Sequence, residues 1–193
     1  GETAENLAKQ YSISRDEQDE YALRSQERAQ AAAQSGRFQS EVATLEIDNR
    51  RAEKVRFSTD EHPRANTTMN DLAKLSPVFS KEGTVTAGNS SGITDGAASL
   101  VVLSEDAIKQ FGTTPQGRVV DYEITGVAPE IMGIGPVPAI RALLKRQGLT
   151  LDEIDLIELN EAFAAQVIAC DRELGFDKSR LNVNGGAIAL GHP

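Results

Sequence analysis

The 193-residue sequence carries one cysteine, Cys170, and two histidines, His62 and His192. One cysteine cannot close an internal disulfide, which points to a reducing compartment. One cysteine and two histidines are also too few ligands for a structural zinc site. Basic residues are scarce, with 20 Lys plus Arg against 29 Asp plus Glu and a net charge of −9. A general nucleic-acid binder needs a concentrated basic face, so that class is set aside. A small phosphorylated ligand stays open, because a few arginines or backbone amides suffice for it. No run of about 18 apolar residues is present, so no membrane-spanning helix is expected. The first residues, Gly1-Glu2-Thr3-Ala4-Glu5, are polar and acidic, unlike a signal or Arg-rich transit peptide. What remains, 39% hydrophobic and 25% charged, is the composition of a folded globular chain.

The first third reads as helical. Residues 3–11 fit a short helix. Ser14-Arg15-Asp16-Glu17 has the spacing of a capping box, with acidic residues in the first turn to meet the helix dipole. That second helix runs through the alanines at 29–33 and stops at Gly36. Tyr21, Ala22, Ser25, Ala29 and Ala32 form a stripe of small, weakly apolar residues. Such a helix either packs closely on a neighbour or lies at the surface. Val42, Leu45 and Ile47 suggest a short strand within an irregular stretch at 37–80. Arg50, Arg51, Lys54, Arg56 and Arg64 make the one basic-rich region, read either as a solvated loop or as residues facing an anionic ligand. From Gly83 a Gly/Ser/Thr/Asn-rich loop leads to expected strands at 100–103 and 117–127. A helix is then expected over 138–148, a strand over 155–159, a helix over 161–174 and a strand over 181–184. Alternating strands and helices indicate an α/β sheet. The chain stops on a Gly-rich turn with no closing helix, which suggests a piece of a longer molecule.

Three segments hold the candidate chemistry. His192 lies in Gly191-His192-Pro193, where glycine permits close backbone approach and proline fixes the chain. It reads as an acid–base or polarising group, or as a surface-loop histidine. Asn160 opens Asn160-Glu161-Ala162-Phe163 and reads either as a helix N-cap or as an amide holding a water or an oxyanion. The loop over 85–98 is dense in Gly, Ser, Thr and Asn. It reads as a backbone cradle for a ligand or as a plain turn into a strand. It is neither a P-loop nor a dinucleotide fingerprint. Cys170 sits mid-helix, away from a helix N-terminus or a cation, and reads as a buried structural residue. His62 reads as an exposed loop residue.

Together these segments, in this order and at these intervals, resemble thiolases. The resemblance also takes in Gly1-Glu2-Thr3-Ala4-Glu5-Asn6 and Ser14-Arg15-Asp16-Glu17-Gln18-Asp19, and it covers essentially the whole chain. It implies the layered αβαβα thiolase fold, incomplete here. Residues 1–93 would be the second half of the lid that covers coenzyme A. Residues 94–116 would end the N-terminal core domain, and 117–193 would begin the C-terminal one. Sheets cut in this way would expose unpaired edges.

The resemblance further implies a thiolase-type acyltransferase. It would condense two acetyl-CoA to acetoacetyl-CoA, or run the reverse thiolysis of a 3-ketoacyl-CoA. The family's nucleophilic cysteine precedes this segment and its second cysteine follows it, so the segment alone is expected to be inactive. His192 matches the histidine that activates the nucleophile and binds the thioester oxygen, and Asn160 the residue that holds the water of the other oxyanion site. Arg64 matches a contact near the adenine and phosphates, Ser91 a contact to the pantetheine arm beside Ala87 and Ile93, and Ala162 and Phe163 the wall around the thioester. Asp71 stands where relatives often carry a serine near the nucleotide. A carboxylate suits that place only if it points away. No metal and no cofactor beyond the coenzyme A substrate are implied, and acyl-CoA and coenzyme A are the expected partners. A homodimer or homotetramer is expected, in the cytoplasm, with mitochondrion and peroxisome open. A ketoacyl synthase would carry histidine where Asn160 stands. The alternative is a non-catalytic acyl-CoA or lipid-binding thiolase-like protein.

Overall fold

A computed structural model describes residues 1–48 and 54–193. Arg50 and Arg51 of the basic region lie outside the described residues. Two helices open the chain, α1 (Glu2–Gln10) and α2 (Arg15–Gln34). The expected capping box forms at α2: the Glu17 amide donates to Ser14 Oγ at 3.2 Å, and the Ser14 amide donates to Glu17 Oε2 at 2.8 Å. These bonds satisfy amides that the helix start would otherwise leave without partners. The chain then forms an antiparallel hairpin of β1 (Leu45–Asp48) and β2 (Lys54–Phe57), followed by the short helices α3 (Met69–Ala73) and α4 (Glu105–Phe111). A 3₁₀ segment (Pro129–Ile134) leads into α5 (Pro136–Gln147). Next come α6 (Ala164–Leu174) and a single turn, α7 (Ala187–Leu190). Gly148 and Gly175 end α5 and α6 with left-handed backbone, φ 67° and 68°.

One core joins the helices other than α4, and β1, β2 and α4 place no residue in it. Leu7 of α1, Val85, Ile134, Val137, Val167 and Cys170 of α6, and Leu181 are buried together. The stripe on α2 packs closely rather than facing water. Ala22, Ser25, Ala29 and Ala32 are buried, and the backbone of Gly185 lies so near Ala29 and the Ser25 carbonyl that no side chain would fit at 185. Small residues on α2 are what allow that approach.

The expected strands are only partly realised. Ile157 and Leu181 form a parallel bridge, with the Ile157 amide donating to the Arg180 carbonyl and the Asn182 amide to the Ile157 carbonyl, each at 2.9 Å. Helix α6 crosses between these two segments, so the β–α–β logic holds there. The strands expected over 100–103 and 117–127 do not pair. Leu100, Val101 and Val102 are 86%, 82% and 83% exposed, and Val119, Val120 and Ile124 are similarly bare. A strand is completed by its neighbour, and no described residue supplies one. Helix α6 begins three residues later than the expected 161, with Phe163 at its N-cap position and no side-chain cap. Among the described residues, no helix is long and apolar enough to cross a membrane.

Residues 121–123 are nonetheless held in place. Arg146 of α5 donates to Asp121 Oδ2 at 2.7 Å, to Glu123, and to the Tyr122 carbonyl at 2.6 Å. The Arg146 hydrogen bond, followed by that from the Tyr122 amide, brings the Asp121 carboxyl down to about 2. A carboxyl lowered in the folded state below its ordinary value of about 3.9 adds stability above that value, and the addition is lost as pH falls toward 2. Thermal melts of the chain and of Asp121→Asn should therefore differ at pH 5, with the variant less stable, and converge by about pH 2. A constant gap across that range would contradict the assignment.

Candidate active site

The three segments singled out in the sequence meet in space, and backbone hydrogen bonds hold them there. The loop over 85–94 lies along the segment before α6. Ser90 bridges Phe163 in antiparallel sense, the Ser91 amide donates to the Ala162 carbonyl at 3.0 Å, and the Ala164 amide donates to the Asn89 carbonyl at 2.9 Å. Ser91 Oγ adds a second donation to the Ala162 carbonyl at 3.2 Å. The His192 amide donates to the Gly92 carbonyl at 2.9 Å, which fixes the last turn to the same loop. The loop itself is fixed by a buried polar set. Asn89 Nδ2 donates to Asp19 of α2 at 2.9 Å and to the Thr84 carbonyl at 3.1 Å, while Asn89 Oδ1 accepts from the Thr86 amide at 2.8 Å.

At the junction, Asn160 Nδ2 lies 3.1 Å from His192 Nε2. The direction of this bond follows the imidazole tautomer: Nε2 accepts from the asparagine amide when the ring proton is on Nδ1, and donates to a neighbouring oxygen when the proton is on Nε2. The N-cap reading of Asn160 does not hold, because α6 starts after Phe163. The Asn160 amide is turned toward the histidine. Both side chains border a cleft of about 210 Å³, with Ala162, Phe163, Gln166, Met132 and Leu7 on its walls. A polar pair at the mouth of a mostly apolar cleft suits a ligand with an apolar tail and one oxygen to be stabilised. A larger cleft of about 340 Å³ between α2 and α6 is lined by Glu17, Glu20, Arg24, Asp171 and Lys178, and holds none of the candidate residues.

The other candidates are more dispersed. Ala87 is exposed and Ile93 is fully so. Arg64 is exposed, its amide donating to Gln26 Oε1 of α2 at 3.0 Å. The Asp71 carboxylate points back to Thr68, accepting from its hydroxyl at 2.6 Å, and to Lys74 at 3.3 Å. The Thr68 hydrogen bond, then that of Lys74, holds the Asp71 carboxyl below its ordinary value. Phe163 meets Phe79 edge-on with ring centroids 6.1 Å apart, which braces the cleft wall.

Two residues were undervalued by the sequence. His62 is half-buried rather than exposed, and its ring lies so close to Gly92 that no side chain would fit there. No local signal announced this contact, which spans thirty positions. Glu161 is 1% exposed and accepts hydrogen bonds from Tyr21 and Ser25 of α2. Its place between Asn160 and Ala162 was the available signal. Cys170 is fully buried as expected, and burial, followed by the Glu173 and Asp171 carboxylates, pushes its thiol up to about 12.

Two outcomes follow from this geometry. Gly191 has φ 98° and sits against the Thr94 side chain, so Gly191→Ala meets both a backbone and a steric penalty. Urea unfolding should show a loss of more than about 1 kcal/mol, and an unchanged midpoint would contradict the packing. Cys170 should resist a thiol reagent at pH 8 in the folded chain and react once the chain is unfolded; fast labelling of the folded form would place it elsewhere.

Residues 1–106 match the family model described as thiolase, N-terminal domain, and residues 113–193 match thiolase, C-terminal domain. The mitochondrial 3-ketoacyl-CoA thiolase of Bos taurus is 54% identical over 191 residues, which is 99% of this chain and 48% of that protein. The crystal structure of the Bacillus anthracis acetyl-CoA acetyltransferase superposes with a TM-score of 0.96 at 52% identity, over 100% of this chain and 49% of that one. Human mitochondrial 3-ketoacyl-CoA thiolase in complex with CoA gives 0.93 at 53% identity, over 100% of this chain and 47% of that one. The chain thus spans about half the length of the relatives it matches. Matched by both domain models and at more than half identity across nearly all its residues, the chain belongs to the thiolase family.

Proposed function

We propose that this chain supplies the thioester-oxygen site of an acetyl-CoA C-acyltransferase of the thiolase type. The observation that carries the reading is the 3.1 Å contact of Asn160 Nδ2 with His192 Nε2 at the mouth of the cleft. In condensation, an acyl group passes from coenzyme A to a cysteine thiolate, and coenzyme A leaves as a thiol. A second cysteine gives its proton to the departing coenzyme A, and the thiolate so formed takes an α-proton from a second acetyl-CoA. Its enolate carbon attacks the acyl-cysteine, giving the 3-ketoacyl-CoA and restoring the thiolate. Negative charge gathers on the thioester oxygen as the enolate forms. Donors held in advance around that oxygen are worth more in this state than in the ground state. His192 and a water held by Asn160 are those donors in this reading.

Both thiols lie outside these 193 residues in the proposed enzyme, because the single cysteine is buried in α6. Arg64, Ser91, Ala87 and Ile93 would follow the nucleotide and pantetheine, and Ala162 and Phe163 would enclose the thioester. Residues 1–93 would form part of a lid, and the flanking core domains would complete the sheets that 100–103 and 117–127 leave open. The enzyme would need no cofactor beyond its coenzyme A substrate and would act in lipid metabolism as a homodimer or homotetramer. Cytoplasm is the proposed compartment; the bovine and human relatives above are mitochondrial.

In the complete protein carrying this chain, His192→Ala and Asn160→Ala should each lower kcat for acetoacetyl-CoA thiolysis by about a hundredfold or more. Coenzyme A affinity by calorimetry should change far less. Tight coenzyme A binding with no acylation of the unmodified protein by acetyl-CoA would overturn the enzyme reading in favour of a non-catalytic acyl-CoA binder.

A further inference from the structure

We infer that Glu161 is a positioning residue that sets the separation of Asn160 and His192. The inference rests on the acyltransfer reading of that pair. Neither member of the pair is packed in place: both side chains are exposed. Their backbones must be held for the side chains to sit a hydrogen bond apart, and beside the His192–Gly92 bond it is buried Glu161 that ties the two stretches together, as the neighbour of Asn160 and the acceptor of the Ile188 amide of α7.

Its carboxylate accepts from three separate stretches of chain. From α2 come the Tyr21 hydroxyl at 2.8 Å and the Ser25 hydroxyl at 2.6 Å. From the segment before α7 comes Asn182 Nδ2 at 2.9 Å. From α7 itself comes the Ile188 amide at 3.2 Å. Ser25 Oγ is shared onward, accepting from the Gly186 amide at 3.1 Å. The Glu161 carboxylate also presses on Gly186 so closely that no side chain would fit there.

The two ends of this grip lead to the two site residues. Asn160 is the covalent neighbour of Glu161. Helix α7 is one turn, and His192 follows its last residue by two positions. Holding the first turn of α7 therefore fixes where His192 emerges. Asn182 reinforces the other end. It is buried with left-handed backbone, φ 47°, and its amide both donates to the Leu159 carbonyl and accepts from the Leu159 amide, each at 2.8 Å. A non-glycine residue held in that conformation marks a position where the surroundings outweigh backbone preference.

A purely structural role would lower stability and leave each folded molecule equally active. A positioning role moves the chemical step and the histidine itself. The test is Glu161→Gln in the complete protein, with folding checked by near-ultraviolet circular dichroism. The expected result is a fall in kcat of about tenfold to a hundredfold with KM for the CoA thioester within about twofold. In the same variant, the ¹⁵N signals of His192 should shift in the direction seen for Asn160→Ala, while those of His62 stay put. A folded variant with wild-type kcat, or with unmoved His192 signals, overturns the inference. If the unmodified protein transfers no acyl group, the functional proposal fails, and the His192 signals alone decide the positioning role. If Glu161→Gln does not fold, Tyr21→Phe and Ser25→Ala each remove one donor. The same readouts then apply, with a smaller shift in the same direction expected and no shift counting against it.

Discussion

A carboxylate buried beneath the site is the interaction on which the rest of this structure depends. Taking a charged group out of water is costly unless hydrogen bonds replace its hydration. Glu161 meets that demand with four donors, from Tyr21, Ser25, Asn182 and Ile188. Because those donors sit on α2, on the 182 segment and on α7, satisfying one carboxylate fixes three pieces of chain relative to the 160–163 segment. Each donor is itself constrained. The Tyr21 hydroxyl is raised well above its ordinary range by burial and by the Glu161 carboxylate, so it stays a donor. Losing any member would leave the others buried and short of a partner, which is why such networks act as a unit.

Around that anchor, the site is assembled mainly from backbone. The loop over 85–94 meets the 160–164 segment through main-chain hydrogen bonds, and the last turn meets the same loop at Gly92. Backbone contacts of this kind ask for small or glycine residues at the points of approach. Gly92 faces His62, Gly186 faces Glu161, and Gly191 faces Thr94, each without room for a side chain. The glycines at these points are therefore explained first by side chains packed directly against the backbone. The cleft is a consequence, with Asn160 and His192 left at its rim.

Much of the helical framework was legible in the sequence. The capping box at Ser14 and Glu17, and the glycines after α5 and α6, act within a turn of themselves and formed as their chemistry requires. The buried, inert thiol of Cys170 was equally readable from its mid-helix position. The strands over 100–103 and 117–127 were not, although their composition is apolar and β-branched. Alternation states a preference, and only a hydrogen-bonded neighbour turns preference into sheet. Asn160 misled in the opposite way. Its residue type favours an N-cap, but the helix starts after Phe163 and the amide turns to His192.

The sequence by itself determined the family, the helix ends and the identity of the polar residues available for chemistry. These follow from residue type and local spacing, which the chain carries wherever it is folded. Tertiary structure alone decided that Asn160 meets His192, that His62 lies against Gly92, and that Glu161 faces inward to four donors rather than out to water. Those contacts join positions from about twenty to a hundred and forty residues apart, and no local preference encodes such a distance. They exist because α1, α2 and α6 are buried in one core with Val85, Leu181 and Ile188, which brings the polar segments beside those residues together.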